Sequence, residues 1–286
     1  MKTLYYRGLL SSCNYRCGYC SFKTRRRLVD AEADAEALFR FCQWVHKTGA
    51  ENVMFVPFGE AMIYPYYWEA MANLAATVSR VGCQTNLSFS VKSFVNQVSP
   101  FREKVRLWCS FHPSQILWPD FAAECAHLLE SGIIFSVGAV GDPRNITALQ
   151  KLREQLPPEV YFWINAIKGY RYTQDDYNDF LTIDPMFPIE TTLLPAEPAK
   201  CTGGRCSLFI EGDGSAFACP ISRIRLGNIF KDAPLRTTTL CKADTCNCYL
   251  AYVNRTDTAL SALLVEERVF RVPNKSASMM YDRFPT

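Results

Sequence analysis

The chain of 286 residues lacks long hydrophobic runs, and its net charge is small. No apolar segment approaches the roughly 18 residues that a membrane-spanning helix needs. The formal net charge of +3 is too low by itself to indicate nucleic-acid binding. The N-terminal segment MKTLYYRGLL lacks the apolar core and the small-residue cleavage site of a signal peptide. The sequence therefore predicts a cytoplasmic protein without a membrane or nucleic-acid partner.

Cysteine, by contrast, is abundant, with 13 residues that are unevenly distributed. In a reducing compartment, clustered cysteines more often bind metal than form disulfides. Scattered cysteines in apolar surroundings are predicted to be small core residues; these are Cys42, Cys83, Cys109 and Cys125. The others form two groups, one within residues 13–20 and one within residues 201–248. These two groups are the candidate metal sites.

Strand-like and helix-like segments alternate through residues 1–183. Runs rich in β-branched and aromatic residues, such as NVMFVPF and VRLWCSF, are separated by amphipathic runs with helical periodicity. Strands that alternate with helices indicate βαβ units around a parallel sheet. Six such units are visible, fewer than a closed TIM-type barrel contains. The predicted fold is therefore α/β, a partial (β/α)6 TIM-type barrel.

After residue 183 the alternation ends. A proline-rich stretch without periodicity leads into SLFIEGDGSAFACPI, in which the turn EGDG between two β-rich arms predicts a hairpin. Residues 184–254 are therefore predicted to form a small cysteine-rich extension of the barrel. No structure is predicted for the C-terminal tail, residues 255–286.

Three thiols lie in one loop after the first predicted strand, and this number limits which metal site or bond they can form. They belong to Cys13, Cys17 and Cys20. A structural zinc site needs four ligands, usually arriving as two pairs, and a disulfide would leave one thiol over. Cubane iron–sulfur clusters take cysteine thiolates at such short spacings. Three ligands would leave one iron open to a substrate or cofactor.

The spacing Cys-x3-Cys-x2-Cys, with Tyr19 just before the last cysteine, resembles the signature of the radical S-adenosylmethionine (AdoMet) enzymes. The resemblance implies that this loop holds a [4Fe–4S] cluster whose open iron chelates AdoMet. One electron then cleaves AdoMet to methionine and a 5′-deoxyadenosyl radical, which abstracts a hydrogen atom from the substrate. A zinc site in the loop is the alternative.

A second segment, PFGEAMI at residues 57–63, resembles the Gly-Gly-Glu-Pro motif that holds the AdoMet amino group in this family. Gly59 and Glu60 are retained, whereas Phe58 and Ala61 replace the first glycine and the proline. The resemblance makes Glu60 the acceptor for the ammonium group of AdoMet, which is a charge-assisted contact. A plain strand-to-helix turn is the alternative.

Further polar residues follow the later predicted strands. Residues at the carboxyl ends of barrel strands line the active site in enzymes of this architecture. By resemblance to the family, Ser110 and Tyr19 are predicted to contact AdoMet. The predicted substrate contacts are Asn86, His112 and Asn165. For His112, a loop histidine with satisfied partners is an equal interpretation.

The C-terminal cysteines resemble the twitch and SPASM extensions of radical AdoMet enzymes. Cys201, Gly214 and Cys219 have the spacing Cys-x12-Gly-x4-Cys, and the segment RLGNIF resembles the Gly-Asn-Ile segment that follows it. The resemblance implies one auxiliary [4Fe–4S] cluster, and a zinc ribbon is the alternative. The predicted ligands are Cys201, Cys219, Cys241 and Cys246, with Cys206 less certain.

The resemblance also implies a substrate class. The chain is close in size to the compact twitch enzymes that oxidise or epimerise aminoglycoside-type sugars. Its first predicted strand begins at about residue 3, which leaves no room for the leader-peptide recognition domain of most peptide-modifying relatives. A sugar or aminocyclitol is therefore the expected substrate, and a ribosomal peptide is the alternative.

Epimerisation requires a hydrogen donor, and a cysteine thiol is a competent one. Four auxiliary ligands leave two of the six C-terminal cysteines over. Cys248 is the predicted donor and Cys206 the second candidate, although Cys248 as a cluster ligand is an equal interpretation. Dehydrogenation, with the auxiliary cluster accepting the electron, is the alternative outcome.

Basic residues follow the first cysteine group directly, in the segment KTRRR at residues 23–27. They are predicted to dock an acidic flavodoxin or ferredoxin-type electron donor through charge steering, with a solvated face as the alternative. A different class of function is a non-catalytic iron–sulfur or zinc protein that binds a partner.

Overall fold

The structure is a computed structural model, which describes residues 2–20, 30–192, 194–231, 241–246, 248–258, 261 and 264–273. Its strands are β1 Thr3–Tyr6, β2 Asn52–Phe55, β3 Arg80–Thr85, β4 Val105–Ser110, β5 Ile134–Val140, β6 Phe162–Asn165, β7 Leu194–Pro195, β8 Ser207–Ile210, β9 Ser215–Phe217, β10 Arg225–Asn228 and β11 Thr245–Cys246. Its α-helices are α1 Ala31–Val45, α2 Pro65–Ala75, α3 Val91–Val98, α4 Trp118–Ser131, α5 Ile146–Gln155, α6 Gln174–Leu181, α7 Phe187–Thr191 and α8 Tyr249–Tyr252. Short 3-10 helices span Ser99–Lys104, Pro143–Asn145, Pro198–Lys200 and Val265–Phe270.

One sheet organises the molecule, with the strand order β10-β9-β8-β1-β2-β3-β4-β5-β6. The six strands from β1 to β6 run parallel, each paired with the next and joined to it by a helical crossover. This arrangement confirms the predicted α/β fold. On the other side of β1, β8 pairs in parallel, and β9 and β10 continue antiparallel, so that β8 and β9 form the hairpin around EGDG.

Both faces of the sheet are covered by apolar side chains. Along β1, Leu4 and Tyr6 belong to the core between sheet and helices, whereas Tyr5 belongs to a second cluster on the inner face. This alternation follows from the two-residue period of a strand. Strands buried on both faces read as nearly continuous apolar runs, as the sequence does. The four scattered cysteines are all buried, as predicted.

We call the second cluster the lumen cluster, because it fills the inner face of the curved sheet in the manner of a barrel interior. Its members are Tyr5, Met54, Val56, Trp108, Tyr161, Trp163, Phe209, Phe217, Cys246, Tyr249, Leu250, Val253, Leu264, Val269 and Phe270. Nearly half of them lie beyond residue 245, so the C-terminal part of the chain packs against the inner face of the parallel strands.

The segment at residues 264–271, for which the sequence predicted no structure, is fixed at the amino ends of the strands. The carboxylate of Glu267 accepts hydrogen bonds from Nε and Nη2 of Arg106, each at 3.0 Å. The ring of Phe270 occupies space that a side chain at Gly82 would need, since a Cβ there would lie 2.6 Å from its Cδ1. Within the described part of the chain, no helix is long and apolar enough to cross a membrane.

Candidate active site

A cleft opens at the carboxyl ends of β2 to β6, next to the loop of residues 7–20, which we call the cysteine loop. The cleft has a volume of about 950 Å³, part of it open to solvent. It is lined by Cys13, Tyr15, Cys17, Tyr19, Cys20, Pro57, Phe58, Gly59, Glu60, Gln84, Thr85, Asn86, Ser110, His112, Gly138, Ala139, Val140, Trp163 and Asn165. The structure thus brings together the three predicted cluster ligands and all the predicted AdoMet and substrate residues, because parallel strands end at the same edge.

A buried carboxylate on α1 anchors the cysteine loop. Oδ1 of Asp34 accepts hydrogen bonds from the backbone N–H groups of Leu9, at 2.7 Å, and Leu10, at 2.9 Å. Its Oδ2 accepts from the hydroxyls of Tyr66 and Tyr67, each at 3.0 Å. Sequence reasoning missed Asp34. The available signal was an acid on the apolar face of an amphipathic helix, where a charge needs several donors.

One thiol of the cysteine loop, that of Cys13, accepts N–H donors from the backbone and from a side chain. Sγ of Cys13 accepts from the backbone N–H of Tyr15 at 3.4 Å and from Nδ2 of Asn86 at 3.8 Å. Burial is the main factor that raises the pKa of the Cys17 thiol. Hydrogen bonds to sulfur are one means by which a protein tunes an iron–sulfur cluster. Three thiols around one cleft, on one loop, fit the ligand set of a cubane with an open iron.

Gly59 lies where the turn after β2 passes closest to the cysteine loop. A Cβ at this position would be 1.7 Å from the carbonyl oxygen of Ser12, so no side chain fits. The same carbonyl accepts the backbone N–H of Glu60 at 2.9 Å. The glycine therefore permits the backbone contact that joins the two motifs.

Glu60 is 1% exposed and lies at the junction of β2, β3 and the cysteine loop. Its Oε1 accepts from the hydroxyl of Thr85 at 2.7 Å and from the N–H of Met62 at 3.0 Å, and its Oε2 accepts from the N–H of Asn86. Burial raises the pKa of Glu60 to about 7, and the hydrogen bonds oppose that shift. Because an ionised carboxylate has about four acceptor positions, it can still accept a cationic donor.

His112 is half-buried beside the cysteine loop. Its Nδ1 lies 2.9 Å from the hydroxyl of Tyr19, and its ring stacks on Tyr19 with centroids 5.9 Å apart. Burial lowers the pKa of His112 to about 4, so the imidazole is neutral at pH 7. The ring therefore contacts Tyr19 and also lines the cleft, and its contact with a substrate stays a prediction.

Sequence reasoning identified only some of the residues that form the inner wall of the cleft. The indole of Trp163 lies flat against β5, since a Cβ at Gly138 would be 1.8 Å from the indole ring. Gly138 pairs with Ser110 on β4. Behind the wall, Nη2 of Arg271 donates to Oδ1 of Asn165 at 3.4 Å. Trp163 and Arg271 were missed because the sequence gives no local sign that these two residues meet.

A second, shallow cavity, of about 390 Å³ including space open to solvent, is lined by the four predicted auxiliary ligands, Cys201, Cys219, Cys241 and Cys246. Backbone N–H groups also approach these sulfurs. Gly203 donates to Sγ of Cys201 and Ile221 to Sγ of Cys219, each at 3.4 Å. Cys201 precedes β8 and Cys219 follows β9. Since β8 is parallel to β1, this cavity lies towards the amino ends of the parallel strands, opposite the cleft.

The two surplus cysteines have different surroundings. Cys206 lines another cavity, and its carbonyl accepts the N–H groups of Lys2 and Thr3. Cys248 packs against the lumen cluster. Burial is the main factor that raises the pKa of the Cys219 thiol, and the nearby charge of Cys248 raises it further. Cys248 is not among the described residues that line the cleft.

Two further observations complete the description of the sites. Among the described residues, no three His, Cys, Asp or Glu side chains are arranged to hold a single metal ion. The predicted docking segment for an electron donor, residues 23–27, lies outside the described residues.

Comparisons with known proteins show which solved structures share this fold. No family model and no curated protein matches the chain. Solved structures of radical AdoMet enzymes do match it over nearly its whole length, which confirms the predicted resemblance as a likeness in fold.

One such structure is native anSMEcpe with bound AdoMet, with 13% identity and a TM-score of 0.56 over 99% of this chain and 95% of that chain. A histidine-tagged form of the same protein, also with bound AdoMet, gives 14% identity and a TM-score of 0.57 over 98% and 95%. BtrN in complex with AdoMet and 2-DOIA matches less well, with 12% identity and a TM-score of 0.43 over 81% and 80%.

Proposed function

We propose that this protein is a radical AdoMet enzyme that uses Cys13, Cys17 and Cys20 to hold a [4Fe–4S] cluster and the cleft to bind AdoMet. The observation that supports the proposal is the convergence of these three thiols with Glu60 in one cleft, in a fold shared with AdoMet-bound anSMEcpe. When bound, the cluster and AdoMet supply a 5′-deoxyadenosyl radical, the species that abstracts hydrogen from a substrate.

The residues of the cleft then have defined tasks. Ionised Glu60 accepts the ammonium group of AdoMet, while the Thr85 hydroxyl and the Asn86 N–H hold the carboxylate in place. Ser110, at the end of β4, offers a hydroxyl to the rest of AdoMet. His112, just after the end of β4, fixes the position of Tyr19 within the cysteine loop through the contact at 2.9 Å.

For the second cavity, we propose one auxiliary [4Fe–4S] cluster held by Cys201, Cys219, Cys241 and Cys246. Four thiols line one cavity, and two of them, Cys201 and Cys219, receive backbone N–H donors, which supports this ligand set. A zinc ribbon with the same ligands is the alternative. Metal analysis of anaerobically reconstituted protein distinguishes them, because two cubanes contain about eight irons and no zinc.

The proposed substrate is a small polar molecule such as a sugar or aminocyclitol, and the proposed outcome is epimerisation with Cys248 as hydrogen donor. Dehydrogenation is the second outcome, and a specific observation favours it. The auxiliary cavity lies across the lumen cluster from the cleft, where a cluster can accept an electron from the substrate radical. Cys248, in contrast, is absent from the described lining of the cleft.

Three further candidates concern the substrate, the electron donor and the class of protein. A peptide substrate is supported by anSMEcpe with bound AdoMet and Cp18Cys peptide, which matches 94% of this chain at 14% identity and a TM-score of 0.55. A flavodoxin or ferredoxin-type protein is the proposed electron donor. A non-catalytic iron–sulfur protein is the alternative class, and it would produce no 5′-deoxyadenosine.

Cysteine variants test the proposal. Changing Cys13, Cys17 and Cys20 together to Ala should remove about four irons per chain, the content of one cubane, and abolish AdoMet cleavage. Cys206→Ala is the control and should keep all the iron, because this residue lines neither cluster cavity. A triple variant that still cleaves AdoMet would disprove the proposed ligand set.

Solvent deuterium separates the two outcomes. A thiol exchanges its hydrogen with water, so epimerisation in deuterium oxide should place one deuterium at the inverted carbon, and Cys248→Ala should prevent inversion while both clusters are kept. An oxidised product without deuterium would establish dehydrogenation. Loss of iron from the Cys248 variant would instead make this residue a cluster ligand.

A further inference from the structure

A buried arginine lies behind the auxiliary cavity. Arg255 is 4% exposed and is not among the described residues that line this cavity. Its backbone forms an antiparallel β-bridge with Cys201, one of the proposed cluster ligands. Charged side chains are almost never fully buried unless they are paired, so the partners of this guanidinium indicate what its charge does. These partners lie next to a second proposed ligand and include one carboxylate.

The side chain of Arg255 reaches the strand pair that carries a second proposed ligand, Cys246. Its Nη1 donates to the carbonyl oxygen of Pro195 at 2.6 Å. In the two-stranded sheet of β7 and β11, Pro195 pairs with Thr245 and Leu194 with Cys246. Burial is the main factor that raises the pKa of the Cys246 thiol, and the guanidinium opposes that shift both as a hydrogen-bond donor and as a charge. The guanidinium therefore lies beside the sulfur of Cys246.

The carboxylate that compensates Arg255 is much more exposed than the arginine itself. Asp257 accepts from Nε at 2.8 Å and from Nη2 at 2.7 Å. The side chain of Asp257 is 34% exposed, against 5% for that of Arg255. Water and salt screen an exposed charge more strongly than a buried one. Although the pair is neutral as a whole, the field that it exerts on the neighbouring cysteines is therefore positive.

A positive field at this place has a defined effect on an iron–sulfur cluster. The reduction potential of a cluster depends on net charge, on hydrogen bonds to its sulfurs and on solvent exposure. One-electron reduction makes a thiolate-ligated cubane more negative, so a neighbouring cation stabilises the reduced form. In the interior of a protein this electrostatic effect is larger than in water, because the effective dielectric constant is lower.

We propose that Arg255 raises the reduction potential of the auxiliary cluster, through its buried charge and a hydrogen bond to Sγ of Cys246. This inference rests on the proposed function, because it requires a cubane held by the four C-terminal cysteines. Arg255 is thus a positioning residue that acts through a ligand. When dehydrogenation is the outcome, one electron leaves the substrate radical while a proton passes to water, and a raised potential makes the auxiliary cluster the better acceptor for that electron.

The full chain with Cys13, Cys17 and Cys20 changed to Ala serves as the background variant, because it lacks the proposed ligands of the catalytic cluster. A redox titration of this reconstituted protein, followed by EPR spectroscopy, measures the auxiliary cluster alone and without any enzymatic assay. Adding Arg255→Gln should lower the ratio of reduced to oxidised cluster about tenfold at a fixed potential, a shift of about 59 mV for one electron. An unchanged or raised potential overturns the proposal.

Asp257→Asn tests the same charge in the opposite direction. It removes the carboxylate that compensates the guanidinium, so it should raise the potential, which a merely structural role of Arg255 would not produce. Arg255→Lys keeps the charge and loses the planar fork of donors, so its potential should lie between those of the background variant and Arg255→Gln. If Arg255→Gln fails to retain iron, these two variants decide, and a potential that Asp257→Asn does not raise overturns the proposal.

Arg205→Gln is the matched control. Nη2 of Arg205 donates to the carbonyl oxygen of Cys201 at 2.7 Å, so this arginine also contacts a ligand residue, but it is exposed. Because exposed charges are screened, its removal should leave the potential close to that of the background variant. Equal shifts in Arg205→Gln and Arg255→Gln would overturn the proposal, since burial would then make no difference.

Metal analysis of the background variant separates this inference from the proposed function. About four irons per chain, the content of one cubane, with a potential that does not respond to Arg255 overturns the inference alone. Zinc, or no metal at all, overturns the proposed auxiliary cluster and the inference with it. The formation of 5′-deoxyadenosine by the wild-type protein still tests the radical AdoMet chemistry in either case.

Discussion

Two buried carboxylates beside the cysteine loop differ in what their surroundings leave them free to do. Asp34 accepts four hydrogen bonds, two from the backbone of the loop and two from tyrosine hydroxyls, so its acceptor positions are filled. Glu60 accepts three and has its pKa raised to about 7 by burial. The first residue therefore anchors the loop, and the second is suited to accept a ligand.

The raised pKa of Glu60 predicts how AdoMet binding depends on pH. Below about pH 7 the carboxyl is mostly neutral, and as the pH rises through about 7 it ionises and can accept the ammonium group. Above about pH 8 the α-amino group itself loses its proton. Affinity should therefore rise and then fall with pH, and equilibrium dialysis with AdoMet measures it.

Glu60→Gln should remove the acidic limb of that profile and weaken binding about tenfold or more, the effect of a lost hydrogen bond to a charge. Glu69 is an exposed glutamate on α2, and Glu69→Gln is the matched control, which should change neither the pH profile nor the affinity for AdoMet. A profile for the wild type that is flat between about pH 6 and 8 would contradict the role of Glu60.

The two glycines near the cysteine thiols give a second prediction at this scale. Gly59→Ala would place a methyl carbon against the Ser12 carbonyl, 1.7 Å away in the present geometry, so the cysteine loop must shift. We expect loss of AdoMet binding and reduced iron content. At Gly18, in the loop itself, the described residues apart from its two chain neighbours place no atom within 4 Å of an added carbon, so Gly18→Ala should keep both properties. Equal iron and AdoMet content in the two variants would refute the close-approach argument.

At the scale of elements, the C-terminal segment depends on a partly buried ion pair. Glu267 binds Arg106 through two hydrogen bonds and also pairs with Arg80, and the side chains of Glu267 and Arg106 are 15% and 7% exposed. Removing one partner leaves a buried charge uncompensated, which costs about 3 kcal/mol or more. Glu267→Gln should therefore lower the free energy of unfolding by about 3 kcal/mol in chemical denaturation.

Its matched control is Glu154→Gln, which breaks the exposed pair between Lys151 and Glu154 on α5. Exposed ion pairs contribute about 1 kcal/mol or less, so this variant should remain close to the wild type. Equal stability of the two variants would show that the C-terminal segment is not held by Glu267.

The elements that the sequence predicted well depend on local patterns. Helical periodicity, strand-like runs and cysteine spacing gave the βαβ alternation and the cysteine loop, because those signals lie within a few residues of each other. The packing of residues 264–271 into the lumen could not be predicted in this way. The contact between Arg106 and Glu267 spans 161 residues, and that between Asn165 and Arg271 spans 106. Neither has a sequence pattern of its own.

At the scale of the whole molecule, two cysteine-lined cavities lie towards opposite ends of the parallel strands. The cleft occupies the carboxyl ends, and the second cavity lies beyond the amino end of β8, with the lumen cluster between them. The same C-terminal part of the chain supplies ligand candidates at one end and, at the other, Arg271, which lies behind Asn165 in the wall of the cleft. The sequence indicated these candidate ligands, but the separation of the two cavities followed only from the strand order.

The measurement that tests the central claim most directly is the formation of 5′-deoxyadenosine. Reconstituted protein is incubated anaerobically with AdoMet and a strong reductant, and the nucleoside and methionine are quantified by mass spectrometry. We predict that the wild-type protein produces both in equal amounts and that the variant with Cys13, Cys17 and Cys20 changed to Ala produces neither. A wild-type protein that carries its full iron content and binds AdoMet but forms no 5′-deoxyadenosine would contradict the assignment as a radical AdoMet enzyme.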